Sequence, residues 1–171
     1  MPTTTATTAS SDRIEKQVTL DVPRSRVWRA LTDVAQFNTW FGVSLTTPFT
    51  PGAEVSGKIS IPNYDHVTMT IWIETMEPER FFSFRWHPYA VEIDVDYSTE
   101  PTTLVTFTLE DAEGGTRLSI VESGFDAIPE SRRAKAFAMN SNGWNGQAEN
   151  IRKYLASGAV DDAGHAPHLP K

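Results

Sequence analysis

ESRRAKAFAMNSNGWNGQAENIRKYLA, residues 130–156, opens behind Pro129 and carries Phe137, Trp144, Ile151 and Leu155 at steps of seven, seven and four. That spacing puts all four on one helical face. About 26 residues at 1.5 Å rise make a rod of roughly 39 Å. A nine-residue strand reaches roughly 30 Å, so one such helix crosses a whole sheet. Gly143 and Gly146 interrupt it at about 1 kcal/mol each relative to alanine. Close packing beside Trp144 is the expected compensation, and a kink is the alternative.

Upstream of the rod, five strand-like runs follow one another: Ala53–Ile61, His66–Met76, Phe81–His87, Thr103–Glu110 and Thr116–Phe125. The stretches between them carry turn chemistry. Pro62-Asn-Tyr-Asp65 parts the first pair, Glu77-Pro-Glu-Arg80 the second, and Asp111-Ala-Glu-Gly-Gly115 is a hairpin loop with glycines for positive φ. Consecutive strands with short turns pair antiparallel. Residues 88–102 break the series and read either as a short extra strand or as a loop at a cavity mouth. Strand 66–76 also leaves open which face is buried. If Val67, Met69, Ile71 and Ile73 face inward, Trp72 lies outside, against a covered edge or a subunit contact.

Ahead of these runs, Arg13–Asp21 alternates Ile14, Val18 and Leu20 with polar residues, which predicts a first strand with one buried face. Pro23 is placed at the first position of a short helix carrying Val27, Trp28 and Leu31. Asp33, with Gln36 three residues on, reads as the N-cap of a second helix carrying Phe37, Trp40 and Phe41, and Gly42 ends it. The order is β-α-α-β-β-β-β-β-α. It predicts an α+β, helix-grip architecture: a twisted antiparallel sheet of about six strands wrapped around a long C-terminal helix. The space left between sheet and helix becomes a cavity.

The chain is 171 residues long, enough for one domain. Residues 12–156 form it, flanked by disordered tails at 1–11 and 157–171. The absence of cysteine excludes disulfides, thiol nucleophiles and Cys-based zinc sites. A net charge of −7 gives no field toward nucleic acid or anionic membranes. No apolar run approaches the roughly 20 residues of a membrane span. With no signal peptide, the expected location is the cytoplasm. His165 and His168 in the tail lack a third ligand, and no metal or other cofactor is expected.

Several motifs together carry a resemblance. They are Val18-Thr-Leu-Asp-Val-Pro23, Val27-Trp-Arg-Ala-Leu-Thr-Asp33, Trp40-Phe41, Glu77-Pro-Glu-Arg80 ahead of an aromatic strand ending in Trp86, Gly114-Gly-Thr-Arg-Leu118, Glu122-Ser-Gly-Phe125, and Gly143-Trp144 followed by Ile151 and Tyr154-Leu155. Their order from about Arg13 to Ala156 resembles the START-like, helix-grip (SRPBCC) superfamily. The branch is that of bacterial proteins related to the C-terminal domain of the Hsp90 ATPase activator. The resemblance implies the fold. It leaves function spread over lipid carriers, hormone receptors, aromatase/cyclases and co-chaperone domains. The eukaryotic co-chaperone carries a further N-terminal Hsp90-binding domain, whereas residues 1–11 here are a Thr-rich stretch.

Eighteen aromatic residues, five of them Trp, give the interior large flat surfaces. The expected ligand-binding set draws on every element around the cavity. The second helix gives Trp40 and Phe41, strand 66–76 gives Met69 and Ile71, and strand 81–87 gives Phe84 and Trp86. The long helix gives Phe137, Asn140 and Trp144. Glu122 shares a strand face with Leu118 and Ile120. If that face is the core face, Glu122 enters the cavity as a ligand partner or a base, and it is the one candidate catalytic residue. The alternative puts it at the rim, paired with an arginine. His66 and His87 read as exposed or capping residues rather than a two-His site. Arg132, Arg133 and Lys135 read as a solvated face, or else as a docking site for an acidic partner. The expected partner is a small hydrophobic or aromatic molecule bound without catalysis, and a homodimer stays open. A protein-interaction module and a polyketide cyclase/dehydratase follow as second and third readings.

Overall fold

The computed structural model describes residues 12–92 and 94–157. The expected tails at 1–11 and 157–171, with His165 and His168, fall outside them, apart from Ser157. Seven strands and three α-helices follow in order. They are β1 (Arg13–Leu20), α1 (Arg24–Thr32), α2 (Val34–Phe41), β2 (Val43–Leu45), β3 (Glu54–Ile59), β4 (Thr68–Glu77), β5 (Phe81–Trp86), β6 (Thr103–Ala112), β7 (Gly115–Ser123), a 3-10 turn (Phe125–Ala127) and α3 (Glu130–Ala156). All strands join one antiparallel sheet in the order β1-β7-β6-β5-β4-β3-β2.

Alternation sets which face is inner. A single cross-strand row runs Ile14, Glu122, Val105, Phe84, Ile73 through β1, β7, β6, β5 and β4. Every member is buried, and one of the five is a carboxylate. The opposite face stays wet and carries ion pairs such as Arg85–Glu74 and Arg117–Glu110. On β4, Met69, Ile71 and Ile73 are buried, so Trp72 takes the outer face. It is covered within its own chain: its Nε1 donates to Glu54 at 3.1 Å, and the ring meets His87 edge-on at 5.5 Å.

The two small helices close one end. Asp33 accepts from the Gln36 N–H at 3.3 Å, and Gly42, at φ 92°, ends α2 in the left-handed region. Pro23 is the N-cap of α1 rather than its first helical residue, and its carbonyl accepts from the N–H groups of Arg26 and Val27. The seventh strand is β2, three residues that pair with β3 from Val43↔Ile59 to Leu45↔Gly57. Gly57 is required there, because a Cβ would sit 2.0 Å from the Ser44 carbonyl oxygen. On its other side, β2 is met by the Asn38 side chain, which donates to the Leu45 carbonyl at 3.0 Å and accepts from the Leu45 N–H at 2.9 Å.

The rod α3 is continuous over 27 residues. The close packing expected at its glycines is absent. A Cβ on Gly143 or Gly146 would meet nothing within 4 Å. Residues 88–102 contain no strand among those described. They form a loop tied to α3 by Arg132, which pairs with Glu100 at 2.8 Å, donates to the Pro88 carbonyl at 2.9 Å and stacks its guanidinium 4.7 Å from the Tyr97 ring centre. Arg132 is therefore a clamp. Arg133 donates to the Ile128 carbonyl, so the solvated face expected here does not form as a unit.

Candidate functional site: a cavity beside a buried carboxylate

The β4–β5 ladder ends at Trp72↔Arg85, so β4 runs on without a β5 partner over residues 68–71. The loop 88–98 stands off across that gap. A cavity of about 670 Å³ occupies the space between β4, this loop and α3. That size lies within the range of small-molecule sites. Its apolar wall comes from Phe41, Met69, Trp86 and Trp144, and the loop adds Tyr89 and Tyr97. The rings pack on one another: Trp86 lies 5.8 Å from Trp144 and 6.0 Å from Phe41. Asn140, one helical turn before Trp144, brings a carboxamide to the same wall.

Behind the wall lies Glu122, 0% exposed. Its Oε2 accepts from Thr103 Oγ1 at 2.6 Å and Trp86 Nε1 at 2.8 Å. Its Oε1 accepts from Trp144 Nε1 at 2.8 Å. Asn140 Nδ2 donates to both oxygens, at 3.0 and 3.1 Å. No ion pair to Glu122 is present among the described residues. Burial raises its pKa above the ordinary glutamate value, and the four donors oppose that rise. The alternative of a rim position paired with an arginine is overturned: β7 turns Glu122 inward, and neutral donors surround it. It is also not among the residues lining the cavity, because two indoles and the Asn140 amide stand in front of it.

The ten expected ligand-binding residues divide by position. Phe41, Met69, Trp86, Asn140 and Trp144 line the cavity. Trp40 is spent in the core, with its Nε1 donating to the Ala30 carbonyl at 2.8 Å. Ile71 and Phe84 are fully buried in the sheet, and Phe137 packs on Phe125 at 5.1 Å. Sequence reasoning missed Tyr89, Tyr97 and Gly143. The two tyrosines sit in the segment that read either as a short extra strand or as a loop at a cavity mouth, its length being that of a functional or mobile loop. His66 Nε2 is 3.1 Å from the Val91 carbonyl oxygen, and His87 packs on Trp72 with its pKa lowered mainly by burial. No cluster of His, Asp or Glu fit to hold a metal occurs among the described residues, and none of their helices is long and apolar enough to cross a membrane.

Comparison with known proteins places this architecture. The family model described as Activator of Hsp90 ATPase homolog 1-like protein matches residues 21–156. No curated protein matches the chain. Among solved structures, DynU16, a protein of the dynemicin biosynthetic locus, is 26% identical with a TM-score of 0.66. The alignment covers 86% of this chain and 48% of that one, so this chain spans about half its length. MLL2253 from Mesorhizobium loti is 23% identical, with a TM-score of 0.68 and coverage of 85% and 97%. The Aha1 dimer from Colwellia psychrerythraea is 13% identical, with a TM-score of 0.64 and coverage of 84% and 95%.

Proposed function

Since the chain belongs to the family of Activator of Hsp90 ATPase homolog 1-like proteins, we propose that it binds a small hydrophobic or aromatic molecule, without catalysis, in the cavity between its sheet and long helix. One observation carries the reading: about 670 Å³ of space walled by indole, phenyl and thioether groups beside a gap in the strand ladder. Filling such a space removes apolar surface from water at roughly 25 cal/mol per Å². A base at Glu122 fits less well, since its oxygens already accept from four donors and the cavity wall stands before it.

Titration with Nile red, a neutral apolar fluorophore, tests the reading, together with native mass spectrometry of protein purified from cells. Saturable one-site binding and a retained small molecule are expected. Absence of both removes the proposal. A second reading, a protein-interaction module of the Hsp90-activator type, draws on the family's description and predicts a rise in Hsp90 ATPase on addition of the chain. The solved Colwellia relative is a dimer. A homodimer here is read from the native mass of the same sample.

A further inference from the structure

The polar groups of the cavity are unevenly spent. Trp86 and Trp144 each have one N–H, and Glu122 takes both. An indole nitrogen has nothing else to offer, so those two side chains present only their π faces. Asn140 Nδ2 also points at Glu122. A carboxylate amid indole donors accepts, so the network fixes which end of the Asn140 amide faces it. The amide oxygen, bonded to the same carbon, is then turned away from Glu122. It has no hydrogen-bond partner among the described residues and is not among the buried polar atoms left unpaired, so it is open. Gln147, also on the wall, is already used at both ends, donating to the Phe41 carbonyl and accepting from Asn150. The wall holds no lysine or arginine among the described residues; its imidazole, His87, has its pKa lowered mainly by burial and so stays neutral, and its one carboxylate is Glu54. This combination offers aromatic faces and an oriented acceptor, with nothing to neutralise an anion.

Resting on the cavity being a ligand site, we propose that Asn140 Oδ1 is its specificity-determining acceptor, and that the ligand is an uncharged flat aromatic carrying a hydroxyl or N–H donor. Glu122 acts through Asn140 as a positioning residue. An anionic ligand meets Glu54 and no cation. An ether or ketone places acceptor against acceptor, and a site built to take a donor rejects the analogue lacking it.

Calorimetric titration with 2-naphthol, 2-methoxynaphthalene and 2-naphthoate tests this on the unmodified protein. All three are far smaller than the cavity, so size does not sort them. Naphthol is expected to bind at least about tenfold tighter than its methyl ether, with naphthoate weakest. In Asn140→Ala, with its melting curve recorded alongside, the preference for naphthol over its methyl ether should fall below about threefold. Equal binding of naphthol and ether, or tighter binding of naphthoate, overturns the inference and leaves the cavity reading standing. Nile red binding with no naphthalene binding does the same. Failure of Nile red and of all three naphthalenes removes both.

Discussion

Glu122 is where the sequence pattern was most informative and most incomplete. Period two along β7 turned it to the core face with Leu118 and Ile120, and that is where it lies. Nothing in the period said that Trp86, Thr103, Asn140 and Trp144 would converge on it from three other elements, because each is an ordinary residue of its own stripe. The convergence has measurable consequences. Glu122→Leu keeps a buried side chain of similar size but strips the acceptor from two indole N–H groups and an amide. At about 1–3 kcal/mol per orphaned donor, the variant should lose about 3 kcal/mol or more in urea unfolding. A wild-type midpoint would show that the donors re-pair elsewhere. The pH dependence follows from burial raising the folded-state pKa of Glu122 above its ordinary value of 4.5. The folded chain then holds this proton more tightly than the unfolded one. The associated stability is fully present below about pH 4.5 and is lost as pH rises through the folded value. Subtracting the stability–pH profile of Glu122→Gln from that of wild type should leave a component that falls with rising pH. A component that rises would contradict the assignment of burial as the dominant cause.

At the scale of elements, periodicity found the long ones and missed the short and irregular ones. Helix α3 was legible end to end because four large residues share one stripe. Strand β2 was not, since Val43-Ser44-Leu45 offers only two buried positions and follows Gly42 directly. The segment 88–102 read either as a strand, from its alternating Val91, Ile93, Val95 and Tyr97, or as a loop, from its length; among the described residues no neighbour strand receives it, and Arg132 on α3 holds it instead. The basic cluster that looked like solvated surface thus contained the loop's anchor, a pairing across 32 residues that no local pattern announces. Arg132→Ala should leave the sheet intact and release the loop. Amide exchange over 88–102 is expected to speed up by about tenfold or more while β6 and β7 keep their protection. Uniform acceleration, or none, would argue against the clamp.

For the molecule as a whole, the helix-grip architecture and the family were both readable from ordered motifs, and a cavity was expected in the space that a sheet wrapped around the helix leaves beneath it. Its location was not readable. The space opens where β5 stops short of the start of β4, a difference in strand length that alternation does not encode. Gly143 belongs to this scale, for it lines the cavity, and beyond its own helix backbone a Cβ there would meet nothing within 4 Å. Gly143→Leu should fold at least as well as wild type, since leucine is the better helix former by roughly 0.5–1 kcal/mol. The same side chain enters the binding space, so Nile red affinity should drop about tenfold or more. Stability up with affinity unchanged would move the ligand site elsewhere.

The carboxamide of Asn38 has a consequence beyond its own two bonds. A bare sheet margin is a template on which foreign strands stack, and proteins that leave one uncovered tend toward fibrils. Here the outermost strand is three residues long, and the N–H and C=O of Leu45 already face a surrogate peptide group supplied by α2. Docking of another chain along that margin would first have to evict the side chain, which protects the protein from self-assembly at one end of its sheet.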